Sequence, residues 1–324
     1  MTTLSRNLLA CAGSLAALAL INRAAARRAE RTHPPAGHFI EIDGVRLHYT
    51  DRGVGRPIVL IHGNATSEHD FDTSGIAEVL VRTNRVIAFD RPGSGYSERP
   101  RGHLWTATQQ ADLLHKALAQ MQVQRPILVA HSWGTLAALA LALDHPSDTA
   151  GLVLISGYYF PIVRLDAPLV APVAIPFVGD ILRYTVSPVL GRLLMPGFKR
   201  MLFAPAPVPA RFRTEYASGM ALRPSQVRAT AVDGTLLVPS VMSLCGRYGE
   251  LDMPVIIMAG DGDKIVGNRQ SKRLRRAIPG SVLHIVEGAG HMVHHLASRK
   301  VVAAIAEVGR RAGGNMSEER PLAA

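Results

Sequence analysis

The chain has 324 residues, 48% of them hydrophobic, and carries a formal net charge of +11. This length and apolar content allow a substantial core in one large or two small domains, which excludes a disordered or collagen-like protein. No nucleic-acid-binding motif accompanies the positive charge, so we expect no nucleic-acid partner.

Residues 1–36 contain an apolar run that is followed by arginines. The run, residues 8–21, is shorter than the roughly 20 residues of a full membrane span, and it suits a weak anchor or a signal-peptide core. Arg23, Arg27, Arg28 and Arg31 favour an anchor, with membrane association through residues 7–28 and the rest of the chain on the cytoplasmic side. Three consecutive alanines, 24–26, would suit a cleavage site. Export with a cleaved signal peptide is therefore the alternative, and an amphipathic or disordered leader is a third.

Alternating or continuous apolar runs predict eight strands. In chain order they cover residues 38–43, 45–50, 57–61, 85–90, 127–130, 151–155, 254–258 and 281–286. Apolar residues at helical spacing predict helices at residues 71–81, 105–121, 136–143 and 292–308. Strands that are apolar throughout and alternate with helices are typical of the α/β class with a mostly parallel sheet.

The alternation stops after Gly157 and resumes at residue 251. Residues 158–250 hold many prolines and short helical stretches, at 181–186, 189–195 and 198–203. We therefore predict a catalytic core of residues 37–157 and 251–310, with a mainly helical lid inserted after the sixth strand. The polar residues 311–324 are expected to be disordered.

The stretch around Ser132 predicts a strand, a sharp turn and a helix. Its neighbours two positions before and after, Ala130 and Gly134, are small, as the close approach of strand and helix requires. Glycine is usual at both positions, so Ala130 is a mild departure. The turn would hold the Ser132 hydroxyl above a helix N-terminus, where developing negative charge is stabilised. The alternative is an ordinary turn with an incidental serine.

Five motifs, each at a predicted strand end, occur in a characteristic order. They are His62-Gly63, the loop Asp90-Arg-Pro-Gly-Ser-Gly-Tyr96, Ser132, Asp263 and His291. With them the chain resembles the α/β-hydrolase fold superfamily, in its capped serine-hydrolase branch, over about residues 38–308 apart from the details of the lid. The resemblance implies an eight-stranded, mostly parallel sheet flanked by helices, and the chain order serine, acid, histidine.

The same resemblance implies a catalytic triad. Ser132 would be the nucleophile, His291 its general base, and Asp263 the carboxylate that orients the histidine. Asp261 is the rival acid in the same loop. The nearby histidines, 294 and 295, are expected to point elsewhere.

An oxyanion hole is also implied. Its backbone N–H donors would be those of Trp133, directly after the nucleophile, and of Asn64 in the His-Gly-X loop. His62 and His131 are expected to have structural rather than catalytic roles. Asp90 and Arg91 are expected to hold their loop against the turn.

These residues predict a serine esterase acting on a small or medium apolar ester through an acyl-enzyme. Relatives with Asp at the turn, haloalkane dehalogenases and epoxide hydrolases, are set aside because this chain has Ser132. Carbon–carbon bond hydrolases and cofactor-free haloperoxidases or perhydrolases share the triad and stay open, as does a non-catalytic binding protein. Cys11 and Cys245 have no metal-ligand spacing, and we expect no metal or cofactor.

The predicted lid is apolar with few acids, which suits an acyl chain. The alternative is that basic side chains of the lid bind an anionic substrate or an anionic lipid. These side chains are Arg164, Arg183, Arg192, Lys199 and Arg200. The oligomeric state is left open.

Overall fold

The computed structural model describes residues 2–162 and 167–317 of the chain. Its eight strands form one sheet in the order β1-β2-β4-β3-β5-β6-β7-β8. They are β1 His38–Ile42, β2 Val45–Arg52, β3 Arg56–Ile61, β4 Asn84–Phe89, β5 Ile127–His131, β6 Gly151–Ile155, β7 Val255–Gly260 and β8 Val282–Val286. Strand β2 pairs antiparallel with β1 and β4, and all other pairs are parallel. The predicted α/β class and mostly parallel eight-stranded sheet are confirmed.

Helices cover both faces of this sheet and fill the segment between β6 and β7. They are α1 Thr3–Thr32, α2 Asp70–Thr73, α3 Ile76–Leu80, α4 Ala107–Gln120, α5 Gly134–Asp144, α6 Ala167–Ala174, α7 Val178–Tyr184, α8 Val186–Phe203, α9 Ala210–Glu215, α10 Ser218–Ala221, α11 Pro224–Leu244, α12 Asn268–Ala277, α13 Val293–Leu296 and α14 Ser298–Ser317. Side chains of one strand alternate between the two faces. Val59 and Leu128 pack towards α4 and α5, whereas Ile58 and Ile127 pack towards α3 and α14. Each such buried aliphatic side chain contributes about 1.5–3 kcal/mol, so burial on both faces stabilises the sheet that positions the site.

Two predicted helices are interrupted in the structure. The helix expected at residues 71–81 is split into α2 and α3 at Gly75, whose φ of +79° ends the first and starts the second. The helix expected at residues 292–308 is split into α13 and α14 at Ala297, with φ −134° and ψ 42°. Apolar spacing continues across both breaks, so the spacing alone did not reveal them.

Residues 311–317, which the polar composition predicts to be disordered, belong to α14 in the structure. Helix α14 continues to Ser317, and Ala312 is buried against the sheet. Arg56 also hydrogen-bonds the carbonyl oxygen of Gly309 within this helix. These tertiary contacts stabilise a sequence whose polar composition does not by itself indicate a helix. Residues 318–324 lie outside the described residues.

The segment between β6 and β7 contributes α6 to α11. Three predicted helical pieces merge there into α7 and the continuous 18-residue α8, which tolerates Pro188 in its first turn and Pro196 in its interior. Of the basic residues predicted for this segment, Arg164 lies outside the described residues. The apolar N-terminal run is part of the 30-residue helix α1, which is long and apolar enough to cross a membrane by length and composition.

Candidate active site

Ser132 lies between β5 and α5, in the predicted strand–turn–helix. Its φ of +53° is in the left-handed region, which is unusual for a residue with a side chain and indicates a strained turn. A Cβ on Gly134 would lie 2.5 Å from the carbonyl oxygen of His62, so only glycine fits there. Ala130 is completely buried in β5, so its methyl group is accommodated. The turn therefore fixes the Ser132 hydroxyl at the carboxyl edge of the sheet.

The structure brings Ser132, His291 and Asp263 into one hydrogen-bonded chain. Ser132 Oγ lies 2.9 Å from His291 Nε2, and His291 Nδ1 lies 2.9 Å from Asp263 Oδ2. All three residues are buried. With the proton on Nδ1 donated to Asp263, His291 Nε2 is free to accept the Ser132 proton. A serine, a histidine and a carboxylate linked in this order can serve as a nucleophile, a general base and an orienting acid.

Asp263 is held as a carboxylate. Burial alone would raise its pKa, but the hydrogen bond from His291 and the backbone N–H groups of Ile265 and Val266 outweigh burial and lower the pKa. Asp261, the rival acid, is exposed, and its carboxylate makes no contact with His291 among the described residues. The geometry therefore favours Asp263 as the partner of His291.

Asn64 and Trp133 both line the cavity above Ser132. Within residues 2–162 and 167–317, neither backbone N–H has an internal hydrogen-bond partner. The loop of Asn64 approaches the turn closely, since a Cβ on Gly63 would lie 3.1 Å from Ser132 Cβ. Two unpaired N–H groups beside the hydroxyl are the donor set that a tetrahedral oxyanion requires.

Arg91 holds both of these residues. Its guanidinium donates to Asn64 Oδ1 at 2.9 Å and to the His62 carbonyl oxygen at 2.9 Å, and it lies 4.4 Å above the Trp133 ring. His62 Nε2 accepts the Arg91 backbone N–H at 3.0 Å. Burial, with the Arg91 charge, lowers the pKa of His62 to about 4, so His62 is a neutral structural residue.

Sequence reasoning missed Asp233 on α11. Its carboxylate accepts hydrogen bonds from Arg91 at 2.7 Å and from Arg99 at 2.8 Å, and all three side chains are almost fully buried. The Asp233 carbonyl oxygen also accepts the Trp133 ring N–H at 3.0 Å. Asp233 therefore ties the inserted segment to Trp133 directly and to Asn64 through Arg91. No motif in the sequence signals it, because these partners lie at least 100 residues away.

A second buried cluster lies behind His291. Asp70 accepts ring N–H groups from His294 and His295, both at 2.9 Å, so these histidines point away from Ser132 as expected. Burial alone would raise the pKa of Asp70, but the two histidines hold it well below its usual range. His131 Nε2 donates to the His291 carbonyl oxygen at 3.2 Å.

This cluster also contains a potential metal-ligand set. Asp70, His131 and His294 offer ligand atoms within 4.8 Å of one another. Both Asp70 oxygens already accept ring N–H groups from His294 and His295. Within residues 2–162 and 167–317, His131 Nδ1 and His294 Nδ1 are buried without a hydrogen-bond partner.

A cavity of about 250 Å³ opens above Ser132. Its floor contains Asn64, Trp133 and His291, whereas its walls come mainly from the inserted segment. The apolar wall residues are Phe198, Leu202, Phe212 and Leu237. The inserted segment also braces the histidine loop, because the Leu202 carbonyl oxygen accepts the His291 backbone N–H at 2.8 Å.

The fold and this site define an α/β hydrolase. Residues 56–298 match the family model described as alpha/beta hydrolase fold, and the chain belongs to this family. It is 28% identical over 280 residues to 2-hydroxymuconate semialdehyde hydrolase from Pseudomonas sp. (strain CF600), covering 81% of this chain and 90% of that protein. It is also 28% identical over 266 residues to haloalkane dehalogenase from Mycobacterium marinum (strain ATCC BAA-535 / M), covering 77% and 84%.

Among solved structures, the chain resembles a thermophilic esterase from Thermogutta terrifontis. The TM-score is 0.68 at 22% identity, covering 85% of this chain and 99% of the esterase. This similarity applies to the fold. The family and its relatives establish the protein as a hydrolase.

Proposed function

We propose that the protein is a serine esterase that cleaves a small or medium apolar ester through an acyl-enzyme. The observation that carries the proposal is the chain Ser132–His291–Asp263, with both links at 2.9 Å, beneath an apolar cavity. A serine hydroxyl is a weak nucleophile, and the adjacent histidine is what activates it.

In the acylation step, Ser132 Oγ bonds to the ester carbonyl carbon while its proton passes to His291 Nε2. The carbonyl oxygen becomes an oxyanion that accepts hydrogen bonds from the backbone N–H groups of Asn64 and Trp133. Each such donor is worth about 3 kcal/mol of transition-state stabilisation. Asp263 stabilises the imidazolium ion.

The carbon–oxygen bond to the alcohol then breaks, and His291 gives its proton to the leaving alkoxide. In the deacylation step, water attacks the acyl carbon, and His291 Nε2 accepts its proton. Collapse of the second tetrahedral intermediate returns the proton to Ser132 and releases the carboxylic acid. His291 thus acts as the base in both steps, and its hydrogen bonds to Ser132 and Asp263 hold it in place for both.

The cavity supports an apolar acyl group. At about 250 Å³ it lies just below the range of roughly 300–1,000 Å³ that is typical of drug-sized ligands. Its aromatic and aliphatic walls offer little hydrogen bonding to a polar substrate. We therefore expect short and medium acyl chains to be preferred over long ones.

Two assays test the proposal. One is covalent labelling by a fluorophosphonate probe, and the other is hydrolysis of p-nitrophenyl esters of increasing acyl length. We expect the wild type to be labelled and Ser132→Ala to remain unlabelled and inactive. Ser156→Ala is the matched control, because Ser156 is also buried at a strand end with a positive φ of +50°. A folded wild type that neither labels nor turns over any ester would contradict the proposal and favour a binding protein.

Carbon–carbon bond hydrolysis is the second candidate. The similarity to 2-hydroxymuconate semialdehyde hydrolase over 81% of the chain favours it. Turnover of a vinylogous 1,5-diketone faster than that of every ester would establish this reaction instead. Haloalkane dehalogenation is not proposed, because Ser132 lacks the carboxylate that displaces a halide in those enzymes.

We also propose that α1 associates the protein with a membrane, with the catalytic core on the cytoplasmic side. Helix α1 meets the length and composition of a span, although a signal sequence near the N-terminus meets them too. Membrane fractionation followed by N-terminal sequencing distinguishes the two. An intact N-terminus in the membrane fraction supports an anchor, and a soluble exported chain that starts beyond residue 26 refutes it.

A further inference from the structure

Helices α7 and α8, with the turn before α7, carry large apolar side chains that face solvent. Phe177 is 83% exposed and Leu193 74% exposed, and Val178, Ile181, Val186 and Leu194 are also exposed. A contiguous apolar patch of this kind on a soluble protein usually marks an interaction site. We call residues 177–203 the α7–α8 face.

Helix α1 leaves the domain at this face. Its first buried residue, Asn22, donates to the carbonyl oxygens of Tyr184 and Thr185 at 2.9 and 2.7 Å, and it accepts from Arg192 at 2.9 Å. The polar bonds at Asn22 fix α1 at the junction of α7 and α8. They therefore define where the exposed half of the helix begins.

The exposed half of α1, residues 3–21, has the length of a membrane span. Nineteen residues at 1.5 Å per residue give about 28 Å, close to the roughly 30 Å of a hydrocarbon core. If this half is inserted, Asn22 lies at the bilayer surface, and the α7–α8 face lies beside it. The position of Asn22 thus brings the exposed apolar side chains to the depth of the lipid headgroups.

The charge of the surface fits an anionic bilayer. Helix α1 contains five arginines and one acid, Glu30, and α7 with α8 contain four basic residues and one acid, Asp180. Both acids are neutralised in ion pairs, Glu30 with Arg223 and Asp180 with Arg101 and Arg183. Arg183 is used in one of these pairs and Arg192 in the bond to Asn22, so Lys199 and Arg200 are the basic residues that α8 keeps without an ion pair among the described residues. Apolar side chains beside such basic ones are typical of helices that lie in an anionic lipid interface.

We propose that the α7–α8 face docks on an anionic phospholipid bilayer beside the inserted half of α1. The inference rests on the proposed membrane association of α1 and is independent of the ester chemistry. It has one consequence for the site. Phe198 and Leu202 line the Ser132 cavity from α8, while Leu193, about half a turn round the same helix, faces solvent. One helix diameter, about 10 Å, then separates the cavity from the lipid.

One introduced tryptophan in each variant reports contact between that position and the lipid. The native residues Trp105 and Trp133 are buried, at 4% and 1% exposure, and lie out of reach of lipid. Full-length Leu193→Trp is reconstituted in vesicles of phosphatidylglycerol and acyl-brominated phosphatidylcholine, and its emission is compared with that in unbrominated vesicles. Leu9→Trp on α1 reports insertion. Met242→Trp, at an exposed position on α11, is the matched control.

We expect bromine to quench Leu193→Trp and Leu9→Trp but not Met242→Trp, and to quench Leu193→Trp less when phosphatidylglycerol is omitted. Quenching of Leu9→Trp alone overturns the docking of the α7–α8 face while leaving the anchor intact. Quenching of Leu193→Trp without that of Leu9→Trp refutes insertion of α1 and therefore overturns docking beside it. Emission of Leu193→Trp that shifts to the blue with protein concentration, and not with lipid, assigns the face to a second copy and overturns the proposal.

Discussion

We predict that substitution of Asp233 lowers the free energy of unfolding more than substitution of any other polar residue in the inserted segment. Asp233 balances two buried arginines, Arg91 and Arg99, through hydrogen bonds of 2.7 and 2.8 Å, and its side chain is only 2% exposed. In Asp233→Asn the amide would place a donor against arginine donors, and two buried positive charges would lose their partner. Removing one member of a buried ion pair costs about 3–5 kcal/mol.

Asp180 provides a matched control in the same segment. It also pairs with two arginines, Arg101 and Arg183, but its side chain is 29% exposed. Water screens such a pair, so Asp180→Asn is expected to cost less than about 1 kcal/mol. The two variants therefore differ in burial, whereas the number of arginine partners is the same.

Urea unfolding followed by circular dichroism measures both free energies of unfolding. A loss of about 3–5 kcal/mol is a large part of the total stability of a domain, which is about 5–15 kcal/mol. Since Arg91 also positions Asn64, we expect the remaining folded Asp233→Asn to show reduced ester turnover. Equal, small losses in Asp233→Asn and Asp180→Asn would refute the assignment of Asp233 as the buried tie between the inserted segment and the core.

Three further predictions concern the triad, the pH dependence and the turn. Asp263→Asn should lower the kcat of ester hydrolysis by about 10⁴ while Asp261→Asn changes it little, and the reverse order would make Asp261 the acid. Burial lowers the pKa of His294 to about 4. In the unfolded chain this histidine binds a proton below about pH 6.5, whereas in the folded chain it does so only near pH 4. The free energy of unfolding therefore decreases as the pH falls from about 6.5 towards 4. Urea unfolding should therefore show about 2 kcal/mol lost between pH 7 and pH 5 in the wild type that His294→Gln does not lose. Gly134→Ala should cost at least about 1–3 kcal/mol, because its Cβ would lie 2.5 Å from a backbone carbonyl oxygen, whereas Gly197→Ala in α8 meets nothing within 4 Å and should be neutral or stabilising. Similar melting temperatures for these two glycine variants would count against the strained turn.

The sequence alone determined the strands of the sheet and the order in the chain of the proposed catalytic residues. Continuous apolar runs identify β5, β6 and β7, because a strand buried on both faces has apolar side chains in every position, and alternating runs identify β1 and β2, which have exposed positions. The turn at Ser132 was predictable because its geometry depends on small neighbours that are adjacent in sequence. Asp263 and His291 were found at strand ends, and the parallel sheet brings those ends to one edge, where the structure places both beside Ser132.

Tertiary structure alone decided which distant polar groups meet. Arg91 and Asp233 are 142 residues apart, and Asp70 and His294 are 224 residues apart, so no local pattern connects them. The helix at residues 311–317 and the docking of α1 through Asn22 likewise depend on surfaces that other elements provide. Local periodicity reports how a segment pairs its own backbone and buries its side chains, whereas a buried ion pair requires both partners to be carried into the same dry space. That is why the strands and the turn were predictable here, and the network that supports the site was not.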